Sequence, residues 1–124
     1  MIAEDPQLEK LRAMREEAHL GGGAERIAIQ HAKGKLTARE RLDLLLDART
    51  FNELEPFIVQ PPDEMGMKSE KFLGDGVVTG YGQIDGRTVY VYAQDFTVFG
   101  GTLSEMQSKK ICRVMDLALR NGAP

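Results

Sequence analysis

The sequence predicts an α/β chain in which a charged helical arm leads into a ββα unit. Three observations predict it. Two short runs rich in β-branched and aromatic residues, 76–84 (G-V-V-T-G-Y-G-Q-I) and 88–93 (T-V-Y-V-Y-A), flank Asp85-Gly86. Asp-Gly supplies the positive φ angles of a tight two-residue turn, so the pair reads as an antiparallel hairpin. After it, Ile111, Val114, Met115 and Ala118 recur at helical spacing, one apolar stripe of an amphipathic helix. Ahead of residue 34 the chain is mostly charged, with thin apolar stripes and a Gly21-Gly22-Gly23 interruption.

Taken in order, residues 6–20 predict a first helix. Pro6 suits its first turn, and Leu8, Leu11 and Ala18 share one face. The three glycines end it as a short flexible break. A second helix is expected over 24–33, with Ile27, Ala28 and His31 on one face and Gly34 as its stop. So narrow a stripe suits an arm that packs on another surface better than an independent core. His31 reads as a ligand, an acid–base group, or a packed or solvent-edge residue.

Thr37 and Glu40 have the spacing of a capping box, and Leu42, Leu45 and Leu46 form the stripe of a short third helix. Arg39 and Arg41 point away from that stripe, toward an anionic partner or toward a solvated or salt-bridged face. Residues 47–50 read as a turn. Residues 51–59 alternate partly through Phe51, Glu53 and Glu55, and Pro56 restricts them to an edge strand or irregular segment. Residues 60–73, with Pro61-Pro62, Met65, Gly66 and Met67, are expected to be a mobile loop. Gly80 and Gly82 weaken the first hairpin strand and mark a bulge or a close backbone approach. Beyond the hairpin, Gly100 and Gly101 let the chain turn, Thr102 stands at capping-box spacing from Glu105, and Gly122 with Pro124 stops the last helix.

A glycine-containing loop that feeds a helix N-terminus can hold a phosphate or a developing oxyanion. It can equally serve as a tight strand-to-helix connection, and neither the Rossmann nor the P-loop glycine spacing is present. Lys109 and Lys110 fall on the helix that follows, facing either a ligand's phosphates or solvent. Asp75, Asp85 and Asp95 occupy turn contexts that favour Asp anyway.

The composition excludes several classes. At 124 residues, 42% hydrophobic and 28% charged, the chain is expected to be one soluble domain with a modest core. A net charge of −3 lacks the basic footprint of nucleic-acid binding. No apolar run approaches a membrane span, and the first residues are no signal peptide, so a cytoplasmic protein is expected. Cys112, the only cysteine, offers no disulfide and no cysteine metal site, and is expected to have a structural role. No side-chain set for acid–base or metal catalysis stands out.

Three ordered segments carry a resemblance. They are G-K-L-T-A-R-E-R at 34–41, G-D-G-V-V-T-G at 74–80, and Q-D-F-T-V-F-G-G-T at 94–102. Together they resemble the β subunits of biotin-dependent acyl-CoA carboxyltransferases of the propionyl-CoA carboxylase type. The charged helices before Gly34, with Gln30-His31, look like that family's N-terminal arm. The resemblance implies a crotonase-like fold, with an arm over 1–33 and the start of a carboxyltransferase domain over 34–124, truncated before a Ser-Gly-Gly-Ala-Arg segment that supplies oxyanion-hole amides. It implies carboxyl transfer between carboxybiotin and the α-carbon of a short acyl-CoA, with propionyl-CoA or methylmalonyl-CoA favoured.

The same resemblance implies biotin on a partner carrier, acyl-CoA as substrate and no metal in the transferase site. The implied partners are biotin carboxylase and biotin carboxyl carrier components, with a hexamer at full length. Phe99, Gly100, Gly101 and Thr102 are expected to line the acyl-CoA side, while no catalytic side chain is assigned and the 124 residues alone are expected to be inactive. The carboxyltransferase subunit of methylmalonyl-CoA decarboxylase is a close variant. A non-catalytic interaction module is the alternative of a different class, and a piece that folds only partly, with open sheet edges, is a third.

Overall fold

The computed structural model describes residues 5–60, 71–98 and 103–124. The elements run α1 (Pro6–His19), α2 (Ala24–Ala32), α3 (Ala38–Leu45), β1 (Asn52–Leu54), β2 (Val77–Ile84), β3 (Arg87–Gln94) and α4 (Glu105–Asn121). The strands form one antiparallel sheet in the order β1-β2-β3. The expected hairpin is there, its register unbroken from Val77 opposite Gln94 to Ile84 opposite Arg87. Asp85 and Gly86 close it with φ of 50° and 78°, the left-handed pair that a tight hairpin turn requires.

Side-chain alternation along β2 assigns each helix a face. Val78 joins Ala38 and Leu42 of α3 in the core, with Phe51, Val91 and Ala93 packed against them. A Cβ at Gly82 would lie 3.0 Å from the Leu46 side chain on that same face. On the other face Thr79 shares a small cavity with Lys110 and Val114 of α4. Tyr81 stacks obliquely on Tyr90, whose hydroxyl accepts a hydrogen bond from Asn121 at the end of α4. The sheet is thus covered on both sides near the start of β2, which explains why Val77 to Gly80 are buried in succession.

β1 is the edge strand that Pro56 allowed for. It is three residues long and pairs Glu53 with Gly80. Gly80 answers the question its sequence context posed. A Cβ there would stand 2.3 Å from the Asn52 carbonyl oxygen and 2.6 Å from the Phe51 ring. The glycine permits a close backbone approach, and the continuous register leaves no bulge.

The hairpin tip is tied down by Asp47. Its two carboxylate oxygens accept from the Asp85 and Gly86 amides at 3.0 and 2.8 Å, and its own amide donates to Gln83 at 2.7 Å. These bonds lie at the exposed end of the sheet, so each is worth about 1 kcal/mol. Asp47→Ala is expected to lower the unfolding free energy by about 1–2 kcal/mol and to speed amide exchange at Asp85 and Gly86. Unchanged exchange at the tip would contradict this role.

The helix caps largely follow the sequence. Thr37 caps α3, its hydroxyl accepting from the Glu40 amide at 3.2 Å. Gly34 and Gly122 both have left-handed φ, 74° and 62°, just beyond α2 and α4. At the start of α4 the cap is Ser104, which accepts from the Gln107 amide, while Thr102, expected at capping-box spacing from Glu105, lies outside the described residues.

Candidate functional site

Phe99, Gly100, Gly101 and Thr102 lie outside the described residues, as do Pro61, Pro62, Met65, Gly66 and Met67. The flanks of the 99–102 stretch are described, and both converge on one turn. Gly74, Asp75 and Gly76 have φ of 84°, 51° and 79°, three left-handed residues in succession, and all three are buried. Gly76 accepts from the Asp95 amide at 2.8 Å, and a Cβ on it would touch Val98 and Gln107 at 3.0 and 2.8 Å. The Asp75 carboxylate accepts a short hydrogen bond from the Ser104 hydroxyl. So the end of the hairpin and the start of α4 rest on the same three-residue turn.

Lys110 completes the arrangement and corrects a sequence-based expectation. It was expected on a solvated or ligand-facing side of α4, yet it is 1% exposed. Its Nζ donates to the carbonyl oxygens of Gly74 at 2.8 Å and Val77 at 2.5 Å. The inward face of α4 is Gln107, Lys110 and Val114, while Met115, expected in the stripe, is 57% exposed. Buried polar side chains, Lys110 with its two carbonyl partners among them, are invisible to an apolar pattern. Lys109 behaves as a surface residue, paired with Glu105 at 3.2 Å. Cys112 is exposed, so the structural packing expected of it is absent.

Burial pushes the Lys110 amine down to about 8 from its ordinary 10.5, opposed by the carboxylates of Glu53 and Asp75 and reinforced by Arg39. The folded value lies below the unfolded one, so between about 8 and 10.5 the unfolded chain holds the extra proton. Stability therefore rises with pH across that window. The neutral amine keeps two N–H groups for Gly74 and Val77, so the bridge persists after deprotonation. Denaturant midpoints measured at pH 7.5 and 9.5 should rise for the parent relative to Lys110→Met. Parallel behaviour of the two proteins would refute the assignment.

The arm is fastened to the same region. The Gly22 amide donates to the Thr97 hydroxyl at 3.0 Å, and Thr97 in turn donates to Asp95 at 2.6 Å. Arg26 reaches the Thr97 carbonyl oxygen at 3.4 Å and lies over the Phe72 ring, 5.5 Å from its centre. A Cβ on Gly21 would stand 2.2 Å from an Asp95 carboxylate oxygen, and one on Gly22 would stand 1.8 Å from the Thr97 carbonyl oxygen. The glycines read from sequence as a flexible break are a packing contact. They let the α1–α2 corner sit directly on the 95–97 turn.

Arg39 meets the salt-bridged expectation. It grips Glu53 with two hydrogen bonds of 2.8 and 2.9 Å and donates to the Ala18 carbonyl at 3.2 Å, joining α3, β1 and α1. Arg41 donates to the Gln94 carbonyl at 2.8 Å at the edge of the sheet. His31 is a solvent-edge residue 2.5 Å from Glu40. That hydrogen bond, followed by one from Thr37, holds the Glu40 carboxyl below the usual range. Among the described residues no three His, Cys, Asp or Glu side chains gather as metal ligands would. Nor, among them, is any helix long and apolar enough to cross a membrane.

With this geometry in hand, residues 29–124 match the carboxyl transferase domain family. The chain belongs to that family. The propionyl-CoA carboxylase beta chain of Roseobacter denitrificans is 56% identical over 117 residues, covering 94% of this chain and 23% of the relative. The Methylmalonyl-CoA decarboxylase subunit alpha of Propionigenium modestum is 49% identical over 118 residues, covering 95% of this chain and 23% of that one. Among solved structures, a transcarboxylase 12S hexamer with methylmalonyl-coenzyme A and methylmalonic acid bound superimposes with a TM-score of 0.89 at 42% identity, covering 98% of this chain and 24% of that one. This carboxyl transferase chain therefore spans about a quarter of the length of the relatives it matches. Its sheet and α4 form the ββα unit expected of a crotonase-like carboxyltransferase domain, and the fold is α/β.

Proposed function

We propose that this chain is part of an acyl-CoA carboxyltransferase that moves a carboxyl group between carboxybiotin and the α-carbon of a short acyl-CoA, propionyl-CoA or methylmalonyl-CoA. The observation that carries this reading is the 56% identity to a propionyl-CoA carboxylase beta chain across 94% of the chain. The partners are a biotin carboxylase and a biotin carboxyl carrier component, and the assembled enzyme is a hexamer. The carrier's biotin delivers the activated carboxyl group, and the reaction takes place in the cytoplasm. The transferase site works without a metal. Residues 1–33 are the arm and residues 34–124 the opening of the carboxyltransferase domain.

Within that reading, Phe99, Gly100, Gly101 and Thr102 line the acyl-CoA side of the cleft. Two observations support it. Both flanks of the stretch rest on the buried turn at Gly74–Val77, and α4 follows directly, its first amides and positive dipole end suited to a negative group. Enolate formation at a thioester develops charge on the carbonyl oxygen, and preorganised amides stabilise such charge.

The test is Gly101→Val in the intact carboxyltransferase, with acyl-CoA affinity and carboxyl transfer from carboxylated carrier as readouts. A roughly tenfold rise in the acyl-CoA KM is expected, equivalent to about 1.4 kcal/mol of lost binding. Unchanged affinity would remove the loop assignment. The 49% identity to a Methylmalonyl-CoA decarboxylase subunit alpha favours a second reading, the same transfer run toward decarboxylation. Assay of both directions with the partner subunits separates the two.

A further inference from the structure

We propose that Asp75 and Lys110 are positioning residues for the acyl-CoA side of the transfer, acting through the turn at Gly74–Val77. This rests on the assignment of the 99–102 stretch made above. Three consecutive left-handed residues are an unusual backbone, and for Asp75, a residue with a Cβ, the conformation costs roughly 1 kcal/mol. Such a turn persists only where its surroundings hold it.

Here the holding groups are polar and come from α4. Lys110 gathers the Gly74 and Val77 carbonyls, and Ser104 donates to Asp75. An apolar side chain at 110 would fill the space with no desolvation cost, but it would take the Lys110 donor from the Val77 carbonyl and leave the Gly74 carbonyl the longer bond from the Val77 amide at 3.4 Å. The amine therefore does what a core residue would not. It sets the distance and rotation of α4 relative to the turn.

Both flanks of the proposed acyl-CoA stretch are referred to that frame. Asp95 donates to Gly76, and Val98, 1% exposed, packs on the face where Gly76 lacks a side chain. On the far side Ser104 is tied to Asp75 and caps α4. Losing Lys110 or the Ser104–Asp75 bond frees one flank from the other. Backbone amides aimed at a developing charge lose effect with displacements of about 1 Å.

The experiment uses the intact carboxyltransferase with Lys110→Met, Ser104→Ala and Ser104→Thr. Two rates are followed: carboxyl transfer to acyl-CoA, and decarboxylation of the carboxylated carrier with acyl-CoA absent. Lys110→Met and Ser104→Ala should raise the acyl-CoA KM roughly tenfold with the carrier reaction unchanged, whereas Ser104→Thr, which keeps the hydroxyl, should stay close to the parent. An equal fall in both reactions, or a lowered melting temperature with an unchanged KM, would overturn the proposal. Should Lys110→Met fail to fold, the Ser104 pair decides alone. If Gly101→Val leaves the KM unchanged while Lys110→Met and Ser104→Ala raise it, the loop assignment falls and the positioning role stands. The reverse pattern keeps the loop assignment and overturns the positioning role.

Discussion

Gly22→Ala is expected to undock the helical arm and to lower stability by about 3 kcal/mol, combining overpacking with lost hydrogen bonds. The added methyl would stand 1.8 Å from the Thr97 carbonyl oxygen and 2.6 Å from its carbonyl carbon. Both are backbone atoms of a turn already fixed by the Asp95 amide on Gly76 and by Thr97 on Asp95. No side-chain rotation relieves the overlap, so the α1–α2 corner must move away. In moving it gives up the Gly22 bond to Thr97 and the reach of Arg26 to the Thr97 carbonyl. Hydrogen exchange should then accelerate across α1 and α2 while β2 and β3 remain protected. If the variant keeps parent-like protection in the arm, the docking described here is wrong.

Gly80→Ala is the second large effect, expected to cost about 2–3 kcal/mol by forcing side-chain volume into a packed strand interface. The methyl would meet the Asn52 carbonyl oxygen at 2.3 Å and the Phe51 ring at 2.6 Å. Gly80 lies between Glu53 of β1 and Val91 of β3, so the strand cannot shift without disturbing one pairing. β1, only three residues long, is the element that yields. As it peels away, Glu53 leaves its two-pronged contact with Arg39, and Phe51 loses its place against Ala38, Leu42 and Val78. Denaturant unfolding should show the loss, with exchange at Asn52–Leu54 reaching solvent rates ahead of the hairpin. A stability within about 0.5 kcal/mol of the parent, the range of an ordinary surface change, would contradict it.

Both predictions come from glycines, but the sequence treated the two differently. Gly80 in a strand run is a signal of close approach in its own right, because a glycine there forfeits packing for no local gain. Gly21 and Gly22 follow a helix, where a glycine needs no further reason than stopping it. Their contact partners, Asp95 and Thr97, lie some seventy positions later, with the Gly22–Thr97 bond spanning 75. No local pattern encodes that pairing.

The same division runs through the site. Asp75 looked like a turn Asp, which it is, but only the folded chain buries it against Ser104. Lys110 reads from sequence as a cation facing a ligand's phosphates or solvent, because periodicity sorts residues by polarity and has no means of pairing a lysine with carbonyls more than thirty residues away. The stripe of α4 was accordingly read one step off, toward Met115 and away from Lys110 and Gln107.

By itself the sequence determined the order of the described elements and the type of all but β1, the hairpin turn at Asp85-Gly86, the caps at Thr37 and Gly122, and the family through its three motifs. All of these depend on residues within a few positions of one another, where backbone sterics and local hydrogen bonds dominate. The tertiary structure alone decided where the arm docks, which face of α4 is inward, and that one strained turn anchors both flanks of the proposed acyl-CoA stretch. Those are contacts between distant segments, and their energy lies in desolvated polar groups finding partners that only the closed fold brings within reach.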